Sequence, residues 1–380
     1  MTVFLGCGFA AKYREGGGNL SVPLQWMLGL RRLKLDAIWL EILPATKDPR
    51  KDQTKIANFQ RQLREHGLAS RYCLLYQEPA SDAHELDGVR CIGLSKRELI
   101  ERLAGPNALL NLSYSIHPPL LWQFERRIFC DLDPGEIVHW MTKMEMGQSH
   151  HHEFWTIGLN VNGRDCRLPK LPMKWKTFYP LVDTKLVETK PRPRIPKFTT
   201  IGQWYWDGMV EVSGEFPDLS KKSAFERYLD LPKRVPDAHF ELAMNIGTSD
   251  LERSRLSNLG WHIVDPHRVA RTPSRYRRYL ASALGEFTAI KGVDVGWQTG
   301  WLSDRAAAFL AMGRPVITED TGAEKYLPSD SGFLFVSGAA EAAKATEEVM
   351  AEWSRMSKQA RRCAVEVFDA ARNLRRILDL

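Results

Sequence analysis

From Gly300 to Gly322 the chain reads Gly-Trp-Leu-Ser-Asp-Arg-Ala-Ala-Ala-Phe-Leu-Ala-Met-Gly-Arg-Pro-Val-Ile-Thr-Glu-Asp-Thr-Gly. Ser303 and Asp304 precede an alanine-rich run that stops at Gly313, the pattern of a capped helix with a glycine terminator. A helix start presents free N–H groups and partial positive charge, so Ser303, Asp304 and Arg305 mark a place where a diphosphate can sit. Lys291, just after the apolar run Phe287 to Ile290, can neutralise a phosphate from the carboxyl edge of a sheet. The same residues also suit a plain cap, a core helix and a solvated strand-end lysine in another α/β protein.

Other chemistry-bearing groups lie in the first half. Asp131 and Asp133 stand at the end of the run Arg127 to Asp131, where one carboxylate can act as a general base; Asp133 before Pro134 also suits a helix cap. His117 is a further candidate base near a strand end. Gly16-Gly17-Gly18-Asn19 follows the first apolar run, and its glycines let the backbone approach a ligand. Three consecutive histidines, His150 to His152, cannot all reach one ion with good geometry, so no metal site is expected; His152 is placed near the cleft. Trp204, Tyr205 and Trp206, with Asp207 after them, can stack on a ring or fill a core.

Those residues need elements to hold them. Apolar runs Val3 to Phe9, Asp36 to Glu41, Arg71 to Tyr76, Asn107 to Leu112 and Arg127 to Asp131 alternate with helical spacing, which implies parallel strands with right-handed crossovers. Between 167 and 197 six X-Pro pairs break that pattern. Alternation restarts at Phe198 and ends in two helical stretches, 339–352 and 357–378. The expectation is α/β, with two Rossmann-like domains facing across a cleft: 1–180, a proline-rich linker 181–197, a second domain 198–365 and a C-terminal helix 366–380.

With its capped helix start, small residues, Gly-Arg-Pro-Val and acidic loop, the segment 287–336 resembles the C-terminal domain of GT-B fold glycosyltransferases. The resemblance implies a nucleotide-sugar-dependent transferase of the hexosyltransferase type that needs no metal and no cofactor beyond its donor substrate. It implies that Ser303, Asp304 and Arg305 serve the diphosphate, with Gly300 and Lys291 beside them. Glu319, Asp320, Thr321 and Gly322 would then meet the donor sugar, and Gly17 and Gly18 would face the cleft. The two glutamate positions of the retaining-type motif are Gly300 and Ala308 here, so the stereochemical outcome stays open. The alternatives are a non-catalytic binding protein of the same fold and a GT-B-fold sugar-nucleotide epimerase.

Composition bounds the rest. The 380 residues carry 53 Lys+Arg against 46 Asp+Glu, a net charge of +7, and 44% are hydrophobic. Disorder, a collagen-like repeat and a disulfide scaffold are excluded. Six isolated cysteines and the lack of a basic n-region point to a reduced, cytoplasmic protein. The resemblance implies as partners a nucleotide-sugar donor and a small-molecule, lipid or glycan acceptor. Because the cations are interspersed with acids, nucleic acid is not expected, while peripheral membrane contact is kept open.

Overall fold

The computed structural model describes residues 1–12, 17–79, 81–206, 211, 214, 219–247 and 249–379. Its first sheet contains β1 (Thr2–Cys7), β2 (Asp36–Pro44), β3 (Tyr72–Gln77), β4 (Arg90–Gly93), β5 (Asn107–Leu112), β6 (Arg126–Asp131), β7 (Glu153–Thr156) and β8 (Trp175–Thr177). The spatial order is β4-β3-β2-β1-β5-β6-β7-β8, parallel except where β4 runs against β3. In register, Leu5 lies between Trp39 and Leu110. Such continuous apolar strands need cover on both faces. Helices α1 (Gly17–Arg32), α2 (Pro49–Glu65), α3 (Lys96–Leu103) and α4 (Pro134–Met141) connect them.

A second, fully parallel sheet has the order β11-β10-β9-β12-β13-β14. Its strands are β9 (Lys197–Gln203), β10 (His239–Asn245), β11 (His262–Ile263), β12 (Gly285–Thr288), β13 (Val316–Thr318) and β14 (Phe333–Phe335). Around it lie α5 (Lys221–Phe225), α6 (Leu231–Arg234), α7 (Asp250–Asn258), α8 (Pro266–Val269), α9 (Pro273–Ala281), α10 (Gly292–Trp297), α11 (Asp304–Ala311) and α12 (Ala339–Ala351). The chain closes with α13 (Trp353–Cys363), a π-helical turn at Ala364–Phe368 and α14 (Ala370–Ile377). Two Rossmann-like units therefore carry the fold.

After the second unit the chain returns to the first. There α14 lies on α1 so closely that a Cβ on Gly29 would come within 2.6 Å of the Leu374 side chain. Arg32 of α1 reaches Asp183 at 2.8 Å and Asp369 at 2.7 Å, tying α1 to both chain crossings. Main-chain bonds Val182 N to Phe368 O (3.0 Å) and Ala370 N to Val182 O (2.9 Å) lock the two crossings together.

A seam joins the units at their facing edges. Leu159 and Asn160 donate main-chain N–H groups to Gly300 and Thr299, both at 3.2 Å, and Asn160 Nδ2 donates to Gln298 O at 2.7 Å. Gly300 has φ +77° and no room for a Cβ, which would lie 2.2 Å from Asn160 N, so this close approach requires glycine. Trp301 Nε1 donates to Leu132 O at 3.2 Å.

Candidate functional site

Between the units lies a cavity of about 550 Å³. Lys12, Gly18, Asn19, Val22 and Lys55 line it from the first unit. Ile201, Gly202 and Gln203 at the carboxyl end of β9 line it from the second, with Pro266, His267, Ala270, Tyr276, Trp301, Ser303, Asp304 and Arg305. Parallel α/β sheets gather ligands at this edge.

The start of α11 forms one wall. Ser303 sits in extended conformation as its N-cap and its hydroxyl accepts the Arg305 N–H at 3.1 Å, leaving further first-turn N–H groups toward the cavity. Asp304, lining the same wall, is pushed up to about 7 by burial. In its neutral form it donates a proton to an anion instead of repelling it. Arg305 is held from below: Nη1 donates to Ile201 O at 2.7 Å, and Nε pairs with the buried Glu286. Glu286 balances the guanidinium charge and holds Arg305 at the cavity, which it lines together with Ser303 and Asp304.

Gly17 opens α1 and Gly18 lines the cavity, while Gly16 and Asp207 lie outside the described residues. Lys12 and Lys55 escaped sequence reasoning, since neither lies in a motif and only the crossing of α2 over the sheet brings Lys55 near. Lys221, at the start of α5, is half-buried, donates to Ala289 O and is pushed down to about 7 by burial, then by the charge of Arg305; it is not among the residues that line the cavity.

The acidic loop is placed differently from the expectation. Glu319 accepts Ile290 N–H at 2.7 Å and the Tyr228 hydroxyl at 2.9 Å and pairs with Arg227. Asp320 Oδ1 accepts the N–H groups of Gly322, Ala323 and Glu324 at 2.9–3.1 Å. Thr321 donates to Trp301 O at 2.7 Å, and a Cβ on Gly322 would meet Asn160 Nδ2 at 2.8 Å. These four residues shape the loop and the seam, and none lines the cavity.

Lys291 and Asp133 meet each other instead of a phosphate or an acceptor. Lys291 Nζ lies 2.8 Å from Asp133 and 2.5 Å from Glu136, joining α10 to the start of α4. Burial works against its charge, but the two carboxylates outweigh it, so Lys291 titrates above an ordinary lysine. Asp133 occupies the N-cap position of α4 without a side-chain capping bond, because its carboxylate turns to Lys291. Asp131 is fully buried, accepts Thr156 Oγ1 at 2.6 Å and Asp133 N at 2.8 Å, and is pushed up to about 7 by burial. Asp294, buried beside them and bonded to Thr299 at 2.8 Å, is also pushed up to about 7 by burial, then by Asp133. This group is an interdomain ion cluster behind Trp301.

His117 stands apart, stacked between His84 (centroids 4.9 Å) and Tyr114 (4.3 Å), its Nε2 2.7 Å from Tyr114 O. His152 precedes β7, at the amino end of that strand and against Arg127 at 2.7 Å, so it is not at the cleft. Trp204 is core, whereas Tyr205 and Trp206 are each 44% exposed. Among the described residues no group of three or more His, Cys, Asp or Glu has metal-holding geometry. No described helix is long and apolar enough to cross a membrane.

No protein-family model and no curated protein sequence matches the chain. Solved structures do. HepE from Anabaena, in complex with UDP and glucose, superposes with a TM-score of 0.58 at 10% identity, covering 100% of this chain and 98% of that one. Sucrose-phosphate synthase from Thermosynechococcus elongatus gives 0.56 at 13%, with the same coverage. An alpha-glucosyltransferase in complex with UDP-glucose and DNA containing an abasic site gives 0.60 at 9%, again over 100% and 98%. The chain therefore has the GT-B fold over its whole length, and its resemblance to GT-B glycosyltransferases holds in three dimensions. One expectation is corrected. Nucleic acid was excluded because charges alternate along the sequence, yet a protein of this fold is solved on DNA, and folding can gather on one surface cations that the sequence disperses.

Proposed function

We propose that this chain transfers a sugar from a nucleoside-diphosphate donor to an acceptor hydroxyl, with the donor held in the cavity between the units. The observation that carries this reading is the Ser303-capped start of α11 lining a cavity opposite Gly18, with Lys12 and Lys55 on the far wall. As the glycosidic bond breaks, negative charge builds on the leaving diphosphate. First-turn N–H groups of α11 and the cations of the opposite wall stabilise that charge without reorganising. The neutral form of Asp304, on the same wall, adds a donor. These groups supply what a divalent cation supplies elsewhere, so we read the enzyme as a metal-independent hexosyltransferase.

UDP-sugars are the first donors to test, since the HepE and alpha-glucosyltransferase structures of this fold hold UDP or UDP-glucose. The experiment is release of UDP from UDP-glucose by the purified protein, compared with Ser303→Leu. Release by the parent and none by the folded variant supports the reading. Diphosphate binding with no release from any nucleotide sugar favours the non-catalytic alternative. All six cysteines are unpaired, which agrees with a cytoplasmic placement.

A further inference from the structure

Residues 262–284 hold five arginines, Arg268, Arg271, Arg275, Arg277 and Arg278, against one carboxylate, Asp265. The segment forms α8, α9 and their joint, and two of its residues, His267 and Tyr276, line the cavity. Asp265 is spent on capping α8, accepting His267 N–H at 2.9 Å. Arg277 turns inward toward His66, whereas Arg268, Arg271, Arg275 and Arg278 are exposed and, among the described residues, have no ion-pair partner. Arg275 and Arg278, three apart on α9, share one flank of that helix, while Arg271 stands in the joint just before it and Arg268 on α8.

Across the cavity the first unit repeats the arrangement. Lys12 and Lys55 line it; Lys55 lies 3.8 Å from Asp52, whose carboxylate is also held by Thr46 and Tyr76, and Asp48 caps α2 beside Lys51. Next to the cavity's Gln203, the partly exposed rings of Tyr205 and Trp206 follow β9, with Lys222 Nζ 5.9 Å from the centre of the first and Lys291 Nζ 5.2 Å from the centre of the second. A diphosphate of two or three charges needs only the inner wall. The four exposed arginines of the segment that supplies His267 and Tyr276 are surplus to it.

We propose that the acceptor is a nucleic acid, its phosphodiester backbone lying along the Arg268–Arg278 lip and its bases reaching the Tyr205–Trp206 pair. This rests on the donor reading above. A cationic track beside exposed aromatic rings is how proteins hold phosphodiester strands: the cations follow the backbone and the rings stack on bases. A bilayer would need an apolar anchor on the same lip, but Val269 is half-buried and Ala270 and Pro273 are buried. The overall charge of +7 adds long-range attraction for such a chain.

Fluorescence anisotropy of labelled 16-mer oligonucleotides, single-stranded and duplex, over a salt series tests this on the full chain. Binding should weaken linearly in log–log form, and the triple variants Arg268→Gln/Arg271→Gln/Arg275→Gln and R268E/R271E/R275E should each lose at least tenfold affinity. The salt slope should drop by about 2, since each lost phosphate contact contributes about 0.7–0.9. Both variants should keep the parent's thermal shift with UDP, which shows them folded with the donor site intact. No oligonucleotide affinity at low salt, unchanged affinity in the variants, or binding only to phosphatidylserine vesicles overturns the proposal. Oligonucleotide binding without any diphosphate binding would instead sink the donor reading and leave the lip as a nucleic-acid surface.

Discussion

At the scale of single residues, Ser303 carries the most weight. It does two jobs: its side chain caps α11 and its place at the cavity leaves first-turn N–H groups open to an anion. Ser303→Leu removes the cap, at a cost of about 1 kcal/mol, and fills the wall with a branched side chain. The expected outcome is a fold retained by circular dichroism with calorimetric UDP affinity lost at least a hundredfold; unchanged affinity would remove Ser303 from the site. Asp304 makes the site sensitive to pH. It titrates near 7, raised by burial. As pH rises through 7, Asp304 gains a negative charge, which opposes a bound diphosphate. UDP affinity should therefore fall between pH 6.5 and 8.5, and Asp304→Asn should flatten part of that fall; a rise over the same interval would contradict the assignment. The Ser303 cap was legible in sequence because capping is a local rule. The fate of Glu319 was not, since Tyr228 and Ile290 N reach it only through the packing of distant segments.

Elements explain why the carboxylates of the first unit do not serve as free bases. The start of α4 and the start of α10 face each other across the seam, and Lys291 neutralises Asp133 and Glu136 there. Replacing it by Met leaves two carboxylates facing Asp294 without a cation. Lys291→Met should lower the urea-unfolding free energy by about 3 kcal/mol, with Lys291→Arg recovering part of the loss. A midpoint equal to the parent's would show that the cluster contributes nothing to holding the units together. The strand–helix alternation that builds both sheets was readable from apolar periodicity. What periodicity could not show is that Asp133 would spend its carboxylate on a lysine 158 residues away. Nor could it show that the long final helical stretch would break at a π turn and a cap at Asp369, sending α14 back onto α1.

Across the whole molecule, two sheets, the first parallel but for β4 and the second wholly so, meet at one cavity, and the chain threads back so that α14 packs on α1. The two-unit architecture was visible in the proline-rich break and the restart of alternation after it. The cavity's composition was not, because Lys12, Lys55 and the pair His267 and Tyr276 come together from three separate segments. If charge stabilisation comes from α11 and these side chains, calorimetric UDP binding should be the same with excess EDTA as with added magnesium. A loss of affinity on chelation would mean that an ion, and not the helix start, carries the diphosphate.

The most direct test of the central claim is a thermal-shift comparison of the parent and Ser303→Leu against UDP, GDP, ADP, TDP and CDP, since a ligand that binds the folded state raises its midpoint. A rise with one diphosphate in the parent, absent in the variant, is the result expected of a donor site at α11. No rise with any of the five in a well-folded parent would contradict it.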